Sequence, residues 1–334
     1  MSSQNASSGS QVILSSEFVL SRYGESLAGK KILITGVAND SIAGELALQL
    51  SAAKPSLVIL TARSESRVEP VVAKIKAKHP DVAVRFLKLD LASLADVRRA
   101  ARELLDDGEV PKIDHLVAVA GVMVPPYQKT ADGVELQFAV NYLANFLLVK
   151  ELLPKVRAAG PKSSIVICAS SAVRGGSVNF DDVNYSDGET YDPIGAYAQS
   201  NAARVVFARS LAEKLKGENI RVFSVDPGAV ASGLQRNFTG EFLERVQEMR
   251  KSVGPVLRDY DGRPYDMPPF TGASEGASNL ITAMTDPTIE DASGAYICRN
   301  AVADEQLTSW ILNRENWVKL WELSEKLIGE PFAV

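Results

Sequence analysis

The run Lys31-Ile32-Leu33-Ile34-Thr35 passes directly into Gly36-Val37-Ala38-Asn39-Asp40-Ser41-Ile42-Ala43-Gly44, and an amphipathic stretch follows to about residue 53. A short apolar run, a glycine-led turn and a helical period read as strand, tight turn and helix. Such a turn converges helix-terminal N–H groups on one point, an arrangement suited to a pyrophosphate. The glycine spelling is incomplete: Ser41 and Ala43 stand where two further glycines are expected, and Gly44 comes one position late. Small residues still allow close backbone approach, and Ser41 either caps the helix or donates to a phosphate. An ordinary turn with a serine cap is the plainer reading of this segment alone.

The same alternation continues down the chain. Strand patterns fall at Leu57–Thr61, Val82–Leu89, Ile113–Val119, Ser164–Ala169 and Ile220–Val225, each apolar on both faces. Helical patterns lie between them at about 40–53, 64–78, 93–106, 133–157 and 196–216. Strands alternating with helices over short linkers predict an α/β, Rossmann-like, doubly wound parallel sheet of six to seven strands, with helices on both faces, in a single domain. Its ligand is expected beyond the C-terminal ends of the strands. After 226 the pattern loosens into a Gly/Pro-rich stretch to about 272, then gives a helix near 274–284, a short strand near 295–298 and a last helix near 304–327. Residues 1–28 read as a partly disordered extension, 29–330 as the domain, and about 233–271 as a lid over a substrate.

Composition excludes several classes. The 334 residues are 46% hydrophobic and 23% charged, ordinary globular values. The net charge of −5, with no block of like charges, argues against nucleic acid or an anionic membrane as partner. Cys168 and Cys298 sit in apolar runs and read as buried thiols of a reducing compartment. His79 and His115 neighbour no Cys or carboxylate at ligand spacing, so no metal is expected. No stretch reaches the roughly 18 apolar residues that cross a bilayer, and Met1–Ser10 has neither a basic nor an apolar signal region, so a soluble cytoplasmic protein is expected.

The second strand ends Leu60-Thr61-Ala62-Arg63. An acid there usually holds a ribose 2′-hydroxyl and an Arg accepts a 2′-phosphate, so Arg63 points to NADP(H), the alternative being a solvated Arg. Asp90, after the third strand, is placed either to accept from an adenine amino group or to cap the next helix.

Taken together, the segments 35–47, 89–98, 120–148, 165–172, 175–185, 196–208, 222–234, 275–277, 293–296 and 320–327 resemble the short-chain dehydrogenase/reductase superfamily and, more closely, its retinol-dehydrogenase-like branch. The resemblance spans roughly 29–328. It implies that Asn141 supports a proton-relay water through its backbone, Ser171 bonds the substrate oxygen and Tyr197 exchanges the proton as hydride moves. It also implies that Pro227, Gly228, Val230 and Ser232 pack on the nicotinamide, while Gly36, Asn39, Ser41, Ile42, Arg63, Asp90, Leu91, Gly121 and Tyr197 hold the rest of the cofactor. A homo-oligomer through the helices near 133–157 and 196–216 is implied as well, although their apolar faces serve equally to cover the sheet.

Departures from the family pattern define the open question. The family's Tyr-x-x-x-Lys is here Tyr197-Ala198-Gln199-Ser200-Asn201, so a degenerate site lacks the Lys that holds the nicotinamide ribose and lowers the Tyr pKa. A cation about 4 Å from a phenol, at an effective dielectric of 20, is worth roughly 4 kcal/mol. Without it Tyr197 is a poor base but still an acid. Arg204 lies on the same helical stripe and either restores positive charge or faces solvent; its spacing echoes the Tyr-(x6)-Lys of related enoyl reductases. Ala118-Val119-Ala120-Gly121 replaces the family's Asn-Asn-Ala-Gly. On the substrate side Met123, Tyr127, Tyr191 and Phe238 suit a bulky hydrophobic small molecule or form lid packing. The function expected is an NADP(H)-dependent oxidoreductase acting on a carbonyl, alcohol or activated alkene of such a molecule. The alternatives are a non-redox enzyme on the same fold, catalysing dehydration, isomerisation or cyclisation, and a non-catalytic NADP-binding protein.

Overall fold

Apolar, β-branched segments pair in parallel because each is followed by a helix that carries the chain back across the sheet. In the computed structural model, which describes residues 13–240, 243–244, 247–248, 256–266 and 270–334, the strands are β1 (Lys31–Ile34), β2 (Leu57–Ala62), β3 (Ala83–Lys88), β4 (His115–Ala118), β5 (Ser164–Cys168), β6 (Arg221–Asp226), β7 (Tyr296–Cys298) and β8 (Ala301–Val302). They form one sheet in the order β8-β7-β6-β5-β4-β1-β2-β3. Every pair is parallel except β7 with β8. The order reverses between β1 and β4, which opens a crevice beyond their C-terminal ends. The antiparallel β8 is an addition to the expected sheet, a two-residue strand too short to show in the hydrophobic pattern.

The helices are α1 (Ser16–Tyr23), α2 (Ile42–Ser51), α3 (Glu69–Lys78), α4 (Leu94–Leu105), α5 (Ala144–Arg157), α6 (Pro193–Lys214), α7 (Ala273–Thr285) and α8 (Arg314–Ile328). On one face α1, α2, α3 and α7 bury residues such as Val19, Leu46 and Leu280 against the sheet. On the other, α4, α5, α6 and α8 bury Val97, Phe146, Phe207 and Leu320.

The boundary expected at residue 28 does not separate two bodies. Ser16 Oγ donates to the Ser274 carbonyl at 2.6 Å, Leu14 N–H donates to Asn300 Oδ1 at 2.9 Å, and Val19 and Leu27 are fully buried. The segment is polar enough to read as a tail, yet its few apolar residues are spaced to dock. Residues 1–12, part of the extension expected to be disordered, lie outside the described residues, as does much of the expected lid.

The last helix seals the second face. Trp321 packs on Phe146 at 5.1 Å between ring centroids, and on Phe332 at 4.9 Å. The resemblance places an oligomer contact on α5 and α6, but α8 lies across both within the chain, so such a contact must share these helices with it. Trp321→Ala is expected to cost about 3–5 kcal/mol of stability, read as a fall in the denaturant midpoint at unchanged slope.

Candidate active site

The first turn is shaped by what cannot fit in it. Gly36 has φ +75°, and a Cβ there would lie 2.7 Å from Ala120; both facts require glycine. Gly44, the glycine that came one position late, packs α2 against the preceding turn, since a Cβ would meet the Ala38 carbonyl oxygen at 2.1 Å. Ser41 Oγ accepts from Ala38 N–H at 3.1 Å and Gly44 N–H at 3.0 Å and donates to the Ala38 carbonyl at 2.8 Å. Its hydroxyl is committed to the turn, so of the two expected roles the cap is the one the structure shows. Asn39 is exposed and accepts from Lys74 Nζ at 2.7 Å, and Ile42 opens α2.

Arg63 projects from the end of β2, exposed, with no ion pair among the described residues. Asp90 Oδ1 accepts from Ala92 N–H at 3.0 Å, while Ser93 caps α4, which settles the choice of cap. Leu91 beside it is buried. The Asn-Asn pair absent after β4 has a replacement: Thr35 Oγ1 accepts from Val119 N–H at 3.0 Å and Ala120 N–H at 3.1 Å, holding the strand end from β1.

Asn141 lies in a π-helical turn, Phe138–Leu143, that precedes α5. Its side chain is fully buried and clamps Val122, accepting from the N–H at 2.7 Å and donating to the carbonyl at 3.0 Å; it also donates to Ser200 Oγ at 2.9 Å. Gly121 therefore sits between Asn141 and α6, where a Cβ would be tight, 3.2 Å from Asn141 Oδ1 and 3.3 Å from Arg204 Nη2. A wide turn is a frequent device for re-aiming backbone groups at a functional site.

Tyr197 is in the first turns of α6, whose N-cap Asp192 accepts from Ile194 and Gly195 N–H. The side chains of Ser170 and Asn201 act on its phenol, each favouring loss of the proton. Burial raises its pKa above the ordinary tyrosine value, and the positive charge of Arg204 opposes that rise. Of the two adjacent serines, Ser170 is the one whose side chain acts on the phenol; Ser171 is the one the resemblance assigns to the substrate oxygen. The Ser171 N–H faces the buried Asp226 carboxyl and favours its charged form, and that carboxyl accepts from Gly228 N–H at 2.9 Å. One carboxyl thus ties the serine turn to the loop after β6. No sequence signal marked it, because a carboxylate at a strand end is ordinarily solvated. Two adjacent serines at a strand end likewise leave one residue of ambiguity.

Gly228 has φ +81°, and Val230 is buried and pairs with Thr271. Ser232 caps the turn Gly233–Asn237 in a reciprocal pair with Gln235, so its hydroxyl is engaged there. Gly233 N–H donates to the Asp40 carbonyl at 3.2 Å, which brings this loop onto the first turn. Asn237 Nδ2 donates to the Met123 carbonyl at 2.8 Å, closing the start of the expected lid over Met123. Tyr127 and Tyr191 pack edge to face at 5.3 Å. Tyr191 Oη donates to the Pro125 carbonyl at 2.9 Å and accepts from Gln137 Nε2 at 2.9 Å, so it holds the wall of the cleft. Phe238, half-buried, follows the same turn.

Comparison with known proteins agrees with this geometry. The family model described as short chain dehydrogenase matches residues 30–241. The chain belongs to the short chain dehydrogenase family. It is 37% identical to retinol dehydrogenase 13 of Mus musculus over 92% of this chain and 86% of that one. It is 32% identical to retinol dehydrogenase 14 of Homo sapiens, over 90% of this chain and 87% of that one. Among solved structures, RhlG of Pseudomonas aeruginosa in its NADP active-site complex superposes with a TM-score of 0.57 at 24% identity, covering 83% of this chain and 96% of that one. In this family member the serine turn, Tyr197 and the first turn all meet at the C-terminal edge of the sheet, and Asn201 follows Tyr197 one helical turn along α6.

Proposed function

We propose that this short chain dehydrogenase is an NADP(H)-dependent oxidoreductase of the cytoplasm acting on a carbonyl, alcohol or activated alkene of a bulky apolar small molecule. One observation carries the reading: an unbroken chain of close contacts runs from the first turn to the proton donor. Gly36 abuts Ala120, Gly121 abuts Arg204 and Asn141, Arg204 bonds Asn201, and Asn201 bonds Tyr197. A dinucleotide laid along Gly36 and Gly121 would therefore end its nicotinamide beside Tyr197.

The residues fit such a group. The N-terminus of the ten-residue α2, reached through the tight Gly36 turn, favours a pyrophosphate's charge, and unpaired Arg63 is available to a 2′-phosphate. Bound there, the reduced nicotinamide supplies a hydride. Tyr197 would give its proton to the substrate oxygen, Ser170 would orient that oxygen, and the Gly228 loop, fixed by Asp226, would shut out water. The retinol dehydrogenases among the relatives are named for an apolar substrate, in keeping with the apolar side chains of Met123 and Phe238. Among the described residues no helix is long and apolar enough to cross a membrane.

Calorimetric titration with NADPH, NADP⁺ and NADH tests the reading, with tight binding selective for NADPH expected. Failure of every form to bind a folded sample would overturn it. Arg63→Ala is expected to weaken NADPH binding by at least about tenfold, the scale of one charge-assisted contact to phosphate, while NADH binding stays unchanged.

A further inference from the structure

Arg204 is the residue whose surroundings ask for an explanation. It lies on α6 seven positions after Tyr197, and it is only 3% exposed. Its Nε donates to the Asn141 carbonyl at 2.5 Å, its Nη2 to the Ala120 carbonyl, and its Nη1 to Asn201 Oδ1 at 3.4 Å. A Cβ at Gly121 would come within 3.3 Å of the guanidinium, so that glycine is what gives the cation its seat. No carboxylate pairs with it among the described residues. The titratable groups facing it are Cys168 of β5 and Tyr197 of α6, and burial pushes the Cys168 thiol up to about 12, leaving it neutral. A buried cation without an acid is costly. The group here that gains most from such a charge is the phenol of Tyr197 once it has lost its proton.

The Asn141 carbonyl makes the same point from the other side. It accepts from Asn145 Nδ2 at 2.9 Å as well as from Arg204. Both lone pairs of that oxygen are taken by side chains, so the relay water that the resemblance placed there has no acceptor at this position. A guanidinium keeps its proton near neutrality and passes none on.

We propose that Arg204 is a positioning residue standing in for the missing lysine, holding positive charge beside Tyr197 and bracing the Ala120–Gly121 turn, so that the site works as a proton donor in reduction. The inference rests on the oxidoreductase reading above. In the step it serves, a reduced nicotinamide gives hydride with its electron pair to the carbonyl carbon, and the C=O π pair moves to oxygen. The Oη–H bond of Tyr197 breaks as the alcohol O–H forms. The phenolate left facing Arg204 regains its proton from solvent after product leaves. Oxidation must begin from that phenolate, whose supply at neutral pH is small.

The test is a titration of Tyr197 in the cofactor-free full chain, taken as the ultraviolet tyrosinate difference between each protein and its Tyr197→Phe counterpart. Arg204→Met is expected to move the Tyr197 transition up by at least about one pH unit, and Arg204→Lys to leave it nearly in place. The double variant Asn201→Lys/Arg204→Met should bring it back down. In turnover, the wild type should reduce at a rate flat between pH 6 and 8 and oxidise at a rate rising nearly tenfold per pH unit. An unchanged Tyr197 transition in folded Arg204→Met overturns the proposal. If that variant does not fold, the double variant decides: a recovered transition supports a charge role, and a folded double variant without recovery overturns it. Absence of NADPH binding to the wild type would refute the oxidoreductase reading while the tyrosinate titration still reports on Arg204, so the two failures are distinguishable.

Discussion

Tyr197→Phe is expected to lower NADPH-dependent turnover by at least about a thousandfold while changing cofactor binding by less than about threefold. The substitution removes one oxygen and keeps the ring, so packing at the start of α6 is retained. What is lost is the proton that the substrate oxygen must receive, and a positioned general acid contributes roughly 10²–10⁴ in rate. Because the phenol is raised above its ordinary pKa by burial, it is fully protonated at neutral pH and every molecule is a competent donor. Single-turnover absorbance at fixed NADPH, with calorimetry on the same sample, separates the two quantities. Full turnover in the variant would remove Tyr197 from the chemistry. The companion comparison is Ser170→Ala against Ser171→Ala. Ser170 is the serine that acts on the phenol, so the first is expected to lose about tenfold or more in kcat and the second distinctly less.

The sheet was legible because period and composition agree along it. Runs such as Leu57–Thr61 and Ile220–Val225 have only one way to hide both faces, and β2 and β6 begin and end within one residue of them. The N-terminal helix was not legible. Ser16–Tyr23 carries only a few apolar residues, and what fixes it is a distant surface, the Ser274 end of α7. At the site, Tyr197 and Asn141 are singled out by resemblance alone, and spacing puts Arg204 on the helical stripe of Tyr197 and Asn201. Spacing could not say which way a seven-atom side chain would turn. That depends on two backbone carbonyls, at Ala120 and Asn141, which become acceptors only when β4 ends and the π-turn opens. The same limit hid Thr35 as the replacement for the missing asparagines, and Asp226 as the tie between two loops. Tertiary partners that come from residues far apart in sequence leave no periodic trace.

The contributions of His115 and Glu135 to stability should nearly cancel between about pH 4.5 and 6.5, and single substitutions should expose the two opposing slopes beneath that plateau. His115, at the start of β4, is buried with Nδ1 2.8 Å from Ser164 Oγ, and burial, aided by the Arg221 charge, pushes its pKa down from 6.5 to about 3. In that window the unfolded chain binds the extra proton, so acidification costs about 1.4 kcal/mol per pH unit. Glu135 is fully buried at the start of the helix leading to Asn141; burial pushes its pKa up from 4.5 to about 7 even though Gln137 and Phe138 N–H bond it. Here the folded chain binds the extra proton, so the stabilisation is complete below 4.5 and is lost as pH rises through 7, again at about 1.4 kcal/mol per unit. The two slopes cancel where the windows overlap. His115→Gln, which retains a polar partner for Ser164, should therefore gain about 3 kcal/mol on going from pH 7 to 4.5. Glu135→Gln should lose about 2–3 kcal/mol between pH 6.5 and 4.5. Urea unfolding at half-unit intervals reads both, provided the slope with denaturant stays constant. A sloping wild type, or a flat His115→Gln, would show that one of the two groups titrates normally. Below about 4.5 the Glu135 contribution is saturated while the His115 slope continues, joined by carboxyls held below their ordinary values, among them Asp114, which the Lys31 N–H and the charges of Lys112 and Lys30 hold down against burial. Acid unfolding should thus begin as soon as the Glu135 contribution is saturated, at the lower end of the plateau.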